Sequence, residues 1–403
     1  MKKIKTEFRG FNIIEVIIII VVTSLVSALT TGIILSNNNK TSSGSSYASL
    51  LQDSNIKEFL NVYSSVLNGY YENVDTKAAM DSAISGLMNY LGDKYTTYLD
   101  SNDTSTLNNK LAGEYTGIGV SLSDNGVIKE IFEDSPAEKG GLEIDDKIIA
   151  INDNNVTEKT NSEIASLIKD SSDKNVKVTI LRDNQNYDYN IAIDTLYIPA
   201  ISTKVYNQNN KNIGYLYIST FSSSLGDQVA KALTKMDSQN IDSLIIDLRG
   251  NGGGYLSAAT DVASMFLPKG KAIYSLEEKD STKTTYDLTD ESRSYPIIVL
   301  IDSGSASSAE ILTAALKDSY GATLVGKKSY GKGKVQQTYQ LDDGSMVKYT
   351  SAKWLRPNGD CVDEVGITPD VSIDVKYEKD ASGNVTSFED TQLNKALEIL
   401  SEQ

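Results

Sequence analysis

The sequence predicts a layered α/β protein with helices ahead of its core and a single membrane-spanning helix at its N-terminus. Three observations lead there. From residue 197 onward, short apolar runs alternate with helical stretches, the succession that builds layered α/β cores. Two stretches with helical apolar spacing precede that region, and an unbroken apolar run occupies residues 11–35. At 403 residues the chain has room for two or three domains of about 100–200 residues each.

Residues 11–35 read FNIIEVIIIIVVTSLVSALTTGIIL. About 20 apolar helical residues cross a bilayer. Lys2, Lys3, Lys5 and Arg9 precede the run, and no basic residue follows until Lys40. The positive-inside rule then puts leader 1–10 in the cytoplasm and the bulk of the chain outside the cell membrane, as a single-pass protein. No small-residue cleavage site stands out, so the run is read as an uncleaved anchor rather than a cleaved signal. Residues 10–15, GFNIIE, are also similar to the leader junction of type IV pilin-like proteins, which are processed after the glycine. The plainer reading leaves Glu15 at the cytoplasmic interface, where a carboxylate reaches water.

Residues 36–50 are small and polar, a flexible linker. In the helical region 51–110, Ile56, Phe59, Leu60, Tyr63, Leu67 and Tyr70 share one helical face. Met80, Ile84, Leu87 and Leu91 share another, with a split near 73–75 and Asp75 as N-cap. Both stripes are read as core packing. In segment 111–195, β-rich runs fall at 118–122, 127–132, 147–151 and 176–182. A helix with proline at its first position starts at Ser135, and another covers 161–169. In segment 196–375, strands at 213–218, 242–247 and 297–302 alternate with helices at 226–236, 256–266 and 307–316. The tail 376–403 carries a final amphipathic helix at 391–400.

The chain contains no histidine, which excludes a Ser-His-Asp triad, a Cys-His dyad and imidazole metal sites. Proton transfer near neutral pH falls to Asp, Glu, Lys, Tyr or the single Cys361. A net charge of −16 without a basic stripe excludes nucleic acid as a partner. One cysteine allows no internal disulfide.

Four motifs carry chemistry. In residues 296–318, PIIVLIDSGSASSAEILTAALKD, an apolar strand turns through small residues into a helix. Such a turn exposes a nucleophilic hydroxyl beside free helix N–H groups, or it is a serine-rich N-cap using Ser305, Ser307 or Ser308. In residues 328–336, KSYGKGKVQ, Lys332 sits between two glycines, and a desolvated lysine can act as a base. Gln336 lies four residues on and could orient the lysine nitrogen. The alternative is an exposed basic turn, the reading given to Lys327, Lys328 and Lys334. The loop DLRGNGGG at 247–254 follows a buried strand; its glycine spacing rules out a dinucleotide loop and leaves an oxyanion donor or a tight turn. The run YTGIGV at 115–120 is an ordinary hairpin loop or a site whose N–H groups hold a peptide carboxylate while a strand edge adds the peptide.

Taken together, these motifs resemble the C-terminal processing peptidases, Ser–Lys proteases with an embedded PDZ domain. The resemblance runs from about residue 50 to the end and includes GDKYTTY at 92–98, SPAEKGGL at 135–142, and RPNG and GITPD after residue 355. It implies a PDZ domain inserted at 111–195 and a layered α/β protease core at 196–375. It implies Ser307 as nucleophile, Lys332 as base, Gln336 as the residue orienting the lysine, and the N–H groups of Ser308 and Gly253 as oxyanion donors. Gly117, Ile118, Gly119 and Val120 become the peptide-binding loop. Substrates are extracytoplasmic proteins with free C-termini, cleaved through an acyl-enzyme with no metal or other cofactor. Some relatives dimerise, which makes 56–91 and 391–400 candidate contacts of a homodimer. Two departures stand out: Ser308 and Ala309 replace the usual Ala-Ser, and Gly252 replaces a common proline.

Overall fold

A computed structural model describes residues 50–171, 174–379 and 385–403. The apolar run, the GFNIIE junction and nearly all of the linker lie outside these residues. Among the described residues, no helix is long and apolar enough to cross a membrane. The chain divides into two units, residues 1–82 and 83–403.

In the first unit, helix Ser54–Gly69 is capped by Asp53, whose side chain accepts from the N–H groups of Asn55 and Ile56. None of its residues is buried, and Ile56, Phe59, Leu60, Val62 and Val66 are all exposed. The expectation that this stripe packs a core is therefore corrected: helical spacing marks an apolar face but not what covers it. Helix Thr76–Tyr90 follows, with Asp75 Oδ1 accepting from the N–H groups of Lys77 and Ala78.

The second unit is built on a six-stranded sheet. Its strands, in spatial order, are Ile201–Gln208, Lys211–Ile218, Ser243–Asp247, Ile297–Ile301, Thr323–Gly326 and Val371–Ser372. The first pair is antiparallel and the remaining pairs are parallel. Helices cover both faces. Leu244, Ile246, Val299 and Ile301 pack with helices Leu225–Ser238, Leu256–Ser264 and Ser308–Ala315. Ile245, Ile298 and Leu300 point the other way, onto Ala396, Leu397 and Leu400 of helix Thr391–Glu402. Burial on both faces explains why SLIID and IIVLI are nearly continuous apolar runs. The apolar stripe of the last helix is used inside the chain, which removes it as the contact between copies expected above.

A five-stranded antiparallel sheet, not foreseen in the sequence, stands beside this core. Strand Met346–Leu355 pairs with Thr97–Leu99, Lys334–Gln340 and Ala272–Glu277. It therefore brings residues near 95 to the lysine segment. Residues 114–197 form an inserted lobe whose ends lie side by side, Glu114–Gly117 pairing antiparallel with Asp194–Tyr197. The lobe has its own core around Ile128, Ile148, Val178 and Ile180. Strand Val120–Ser123 is the edge of its sheet.

Candidate active site

The turn after strand Ile297–Ile301 is tied to the glycine loop. Asp302 Oδ1 accepts from the N–H groups of Gly250 (2.9 Å) and Gly304 (2.9 Å), and Ser305 Oγ donates to Leu248 O (2.8 Å). These bonds deliver Ser307 to the start of helix Ser308–Ala315 with φ 58° and ψ −118°. A non-glycine residue held at such a φ costs about 1–3 kcal/mol, and such strain clusters at functional sites. Of the four serines in the turn, Ser303 is exposed, Ser305 and Ser308 are buried and Ser307 is half-buried. Ser308 Oγ donates to Gly254 O at 3.0 Å.

The glycine loop presses directly on this turn. A Cβ on Gly253 would stand 2.9 Å from Ser307 Cβ and 2.8 Å from Ala306 O, so no side chain fits. Gly253 has φ +95°, a conformation that also favours glycine. Its N–H, one of the two expected oxyanion donors, is bonded to Asn251 Oδ1 at 2.8 Å. Among the described residues the Ser308 N–H has no acceptor.

Glu310 is the residue whose part the sequence did not disclose. It is fully buried in the first turn of the helix. Its Oε2 accepts from the N–H groups of Ser307 (2.9 Å) and Lys332 (2.8 Å). Its Oε1 accepts from Ser329 Oγ (2.6 Å) and the Gly331 N–H (2.7 Å). One carboxylate therefore joins the serine turn to the lysine loop. The available signal was its place at the third helical position after a capping serine, where a carboxylate reaches back to the cap N–H.

Lys332 is half-buried, and Gly331 and Gly333 on either side are buried. Both glycines meet another backbone: a Cβ on Gly331 would lie 2.8 Å from Gly366 N, and one on Gly333 2.5 Å from Asp363 N. Trp354 Nε1 donates to Lys332 O at 2.8 Å. Burial lowers the pKa of the Lys332 ammonium, the charge of Lys348 lowers it further, and Glu310 opposes both. Lys332 Nζ lies 5.0 Å from the centre of the Tyr95 ring. Among the described residues it bonds neither Ser307 nor Gln336. Gln336 Nε2 instead donates to Lys334 O at 3.1 Å, beside a register shift between Val335 and Gln336.

The GDKYTTY segment lies beside these lysines. Tyr95 has Lys94 at 5.0 Å and Lys334 at 5.8 Å from its ring, besides Lys332. Lys334 is not the free turn residue expected: its Nζ pairs with Asp93 at 3.3 Å. Lys327 likewise pairs with Asp374 at 2.6 Å.

In the inserted lobe, Gly117, Ile118, Gly119 and Val120 line one side of a cavity of about 210 Å³. Leu122 belongs to the same strand edge, and Ala165 and Ile168 close the other side from helix Asn161–Lys169. Asn161 Nδ2 donates to Leu122 O and Ser123 O at 3.2 Å each, spanning the groove at one end.

The same regions match known families. Residues 212–373 match peptidase family S41, residues 105–181 the PDZ domain, and residues 25–104 the N-terminal domain of the activating protease CtpB. The carboxy-terminal processing protease CtpB of Bacillus subtilis is 33% identical over 328 residues, 80% of this chain and 68% of the relative. The chain belongs to the C-terminal processing peptidase family. It is thus a serine-type peptidase with a PDZ domain. A probable CtpA-like serine protease of Staphylococcus epidermidis is 32% identical over 334 residues, 81% of this chain and 67% of that one. A solved photosystem II D1 C-terminal processing protease is 24% identical, covering 80% of this chain and 94% of its own, with a TM-score of 0.49.

Proposed function

We propose that this peptidase is an endopeptidase that cleaves proteins near their C-termini, with Ser307 as nucleophile and Lys332 as general base. The observation that carries the reading is the Glu310 carboxylate, which accepts from the N–H groups of both residues. Neutral Lys332 takes the Ser307 proton as Oγ attacks the peptide carbonyl. The ammonium returns that proton to the leaving amine as the C–N bond breaks. Lys332 then takes a proton from the water that attacks the acyl-enzyme and returns it to Ser307 Oγ as the ester C–O bond breaks. The N–H groups of Ser308 and Gly253 hold the oxyanion. Gly253 bonded to Asn251 and Gln336 bonded to Lys334 O describe a resting arrangement. In this reading, substrate frees the Gly253 N–H and turns Gln336 toward Lys332.

The PDZ groove, with Gly117–Val120 at its head, captures the substrate tail. Residues 11–35 anchor the chain in the cell membrane with its catalytic part outside, a reading supported by the basic residues ahead of them. The exposed face of Ile56, Phe59, Leu60 and Val66 is covered by a second copy in a homodimer. The test uses the full chain in detergent micelles and a peptide ending in apolar residues. Cleavage is expected to vanish in Ser307→Ala and in Lys332→Ala, and to stay within about tenfold of normal in Ser308→Ala. Full activity in Ser307→Ala overturns the reading.

A further inference from the structure

The cavity beside strand Val120–Ser123 has a feature that tail capture alone does not require. Among the described residues, no lysine or arginine lines it. A peptide carboxylate held there depends on neutral donors, and the backbone N–H groups of the 117–120 loop are one set.

Tyr115 supplies another. Its side chain belongs to the same cavity lining, and its hydroxyl is buried and donates to no acceptor among the described residues. Buried hydroxyls whose proton finds no acceptor are uncommon, and this one stands beside the loop assigned to the carboxylate. The ring is fixed from two sides. A Cβ on Gly117 would lie 2.8 Å from Tyr115 Cε2, and Phe132 packs edge-on with ring centres 6.1 Å apart. Burial pushes the phenol up to about 12, against a smaller lowering by the Gly119 N–H, so it keeps its proton at physiological pH. The group therefore remains a donor, while the Gly119 N–H is turned toward the phenol oxygen.

We propose that the Tyr115 hydroxyl donates a hydrogen bond to the terminal carboxylate of the captured peptide, so that the groove selects free C-termini over amidated or internal chain. The proposal rests on the reading of this groove as the tail site. Leu122, Ala165 and Ile168 leave an apolar pocket for the terminal side chain.

The test measures binding to the full chain in detergent micelles, carrying Ser307→Ala so that bound peptide stays intact. Two fluorescent peptides are compared, identical except that one ends in leucine with a free carboxylate and the other in leucinamide. With Tyr115 present, the acid is expected to bind at least about tenfold tighter than the amide. Tyr115→Phe keeps the ring packing and removes only the hydroxyl. It is expected to weaken the acid about fivefold to tenfold and leave the amide unchanged, with an unliganded Tm no lower than before. An unchanged acid-to-amide ratio in Tyr115→Phe overturns the proposal and leaves tail capture standing. Equal binding of acid and amide with Tyr115 present overturns tail capture itself.

Discussion

At the scale of single residues, Glu310 is the feature on which the site turns. It accepts four hydrogen bonds while fully buried, so Glu310→Gln replaces an acceptor by a donor facing other donors. A loss of about 2 kcal/mol or more is expected by denaturant unfolding, together with a fall in kcat. Gly253→Ala places a methyl against Ser307, and cleavage is expected to fall by about 10²–10³ while the fold persists by circular dichroism. Because burial lowers the Lys332 pKa and the base acts in its neutral form, activity rises with pH through an inflection below the 10.5 of an ordinary lysine. A rate that stays flat down to about pH 5 contradicts this. The residue types pointed to the serine turn and the lysine between glycines. They could not separate neighbouring serines, because that difference lies in burial and in the bond from Ser308 Oγ to Gly254 O.

At the scale of elements, legibility followed burial. Helix Asn161–Lys169 and strand Lys147–Ile151 have the bounds their apolar spacing indicated. The sheet around Met346–Leu355 did not stand out, because strands such as Lys334–Gln340 and Thr282–Tyr286 are polar and largely exposed. That sheet joins GDKYTTY to the lysine strand through Asp93. Burial opposes ionisation of Asp93, yet hydrogen bonds from Thr350, Thr96 and Lys334 hold its pKa down at about 2, against an ordinary 3.8. A carboxylate lowered on folding contributes stability that is complete above the unfolded value and is lost as pH falls toward the folded one. The fall in Tm between about pH 4 and about pH 2 is therefore expected to be shallower in Asp93→Asn. An unchanged slope removes Asp93 from the acid response.

At the scale of the whole molecule, the missing histidine shaped what the chain can do. A chain without imidazole needs a base whose pKa the fold itself lowers, and Lys332 lies on a loop packed against other backbone. Periodicity identified the amphipathic helices but not their partners: helix Thr391–Glu402 buries its stripe on the sheet, whereas helix Ser54–Gly69 exposes its own. Phe59→Glu is expected to convert a dimer to a monomer in sedimentation, and a wild-type chain that sediments as a monomer removes that interface. Covalent labelling with a serine-directed phosphonate, located by peptide mass spectrometry, tests the Ser307–Lys332 dyad. A single adduct on Ser307, lost in Lys332→Ala, is the expected result. An adduct on Ser308, or labelling of Ser307 at an unchanged rate in Lys332→Ala, would contradict it.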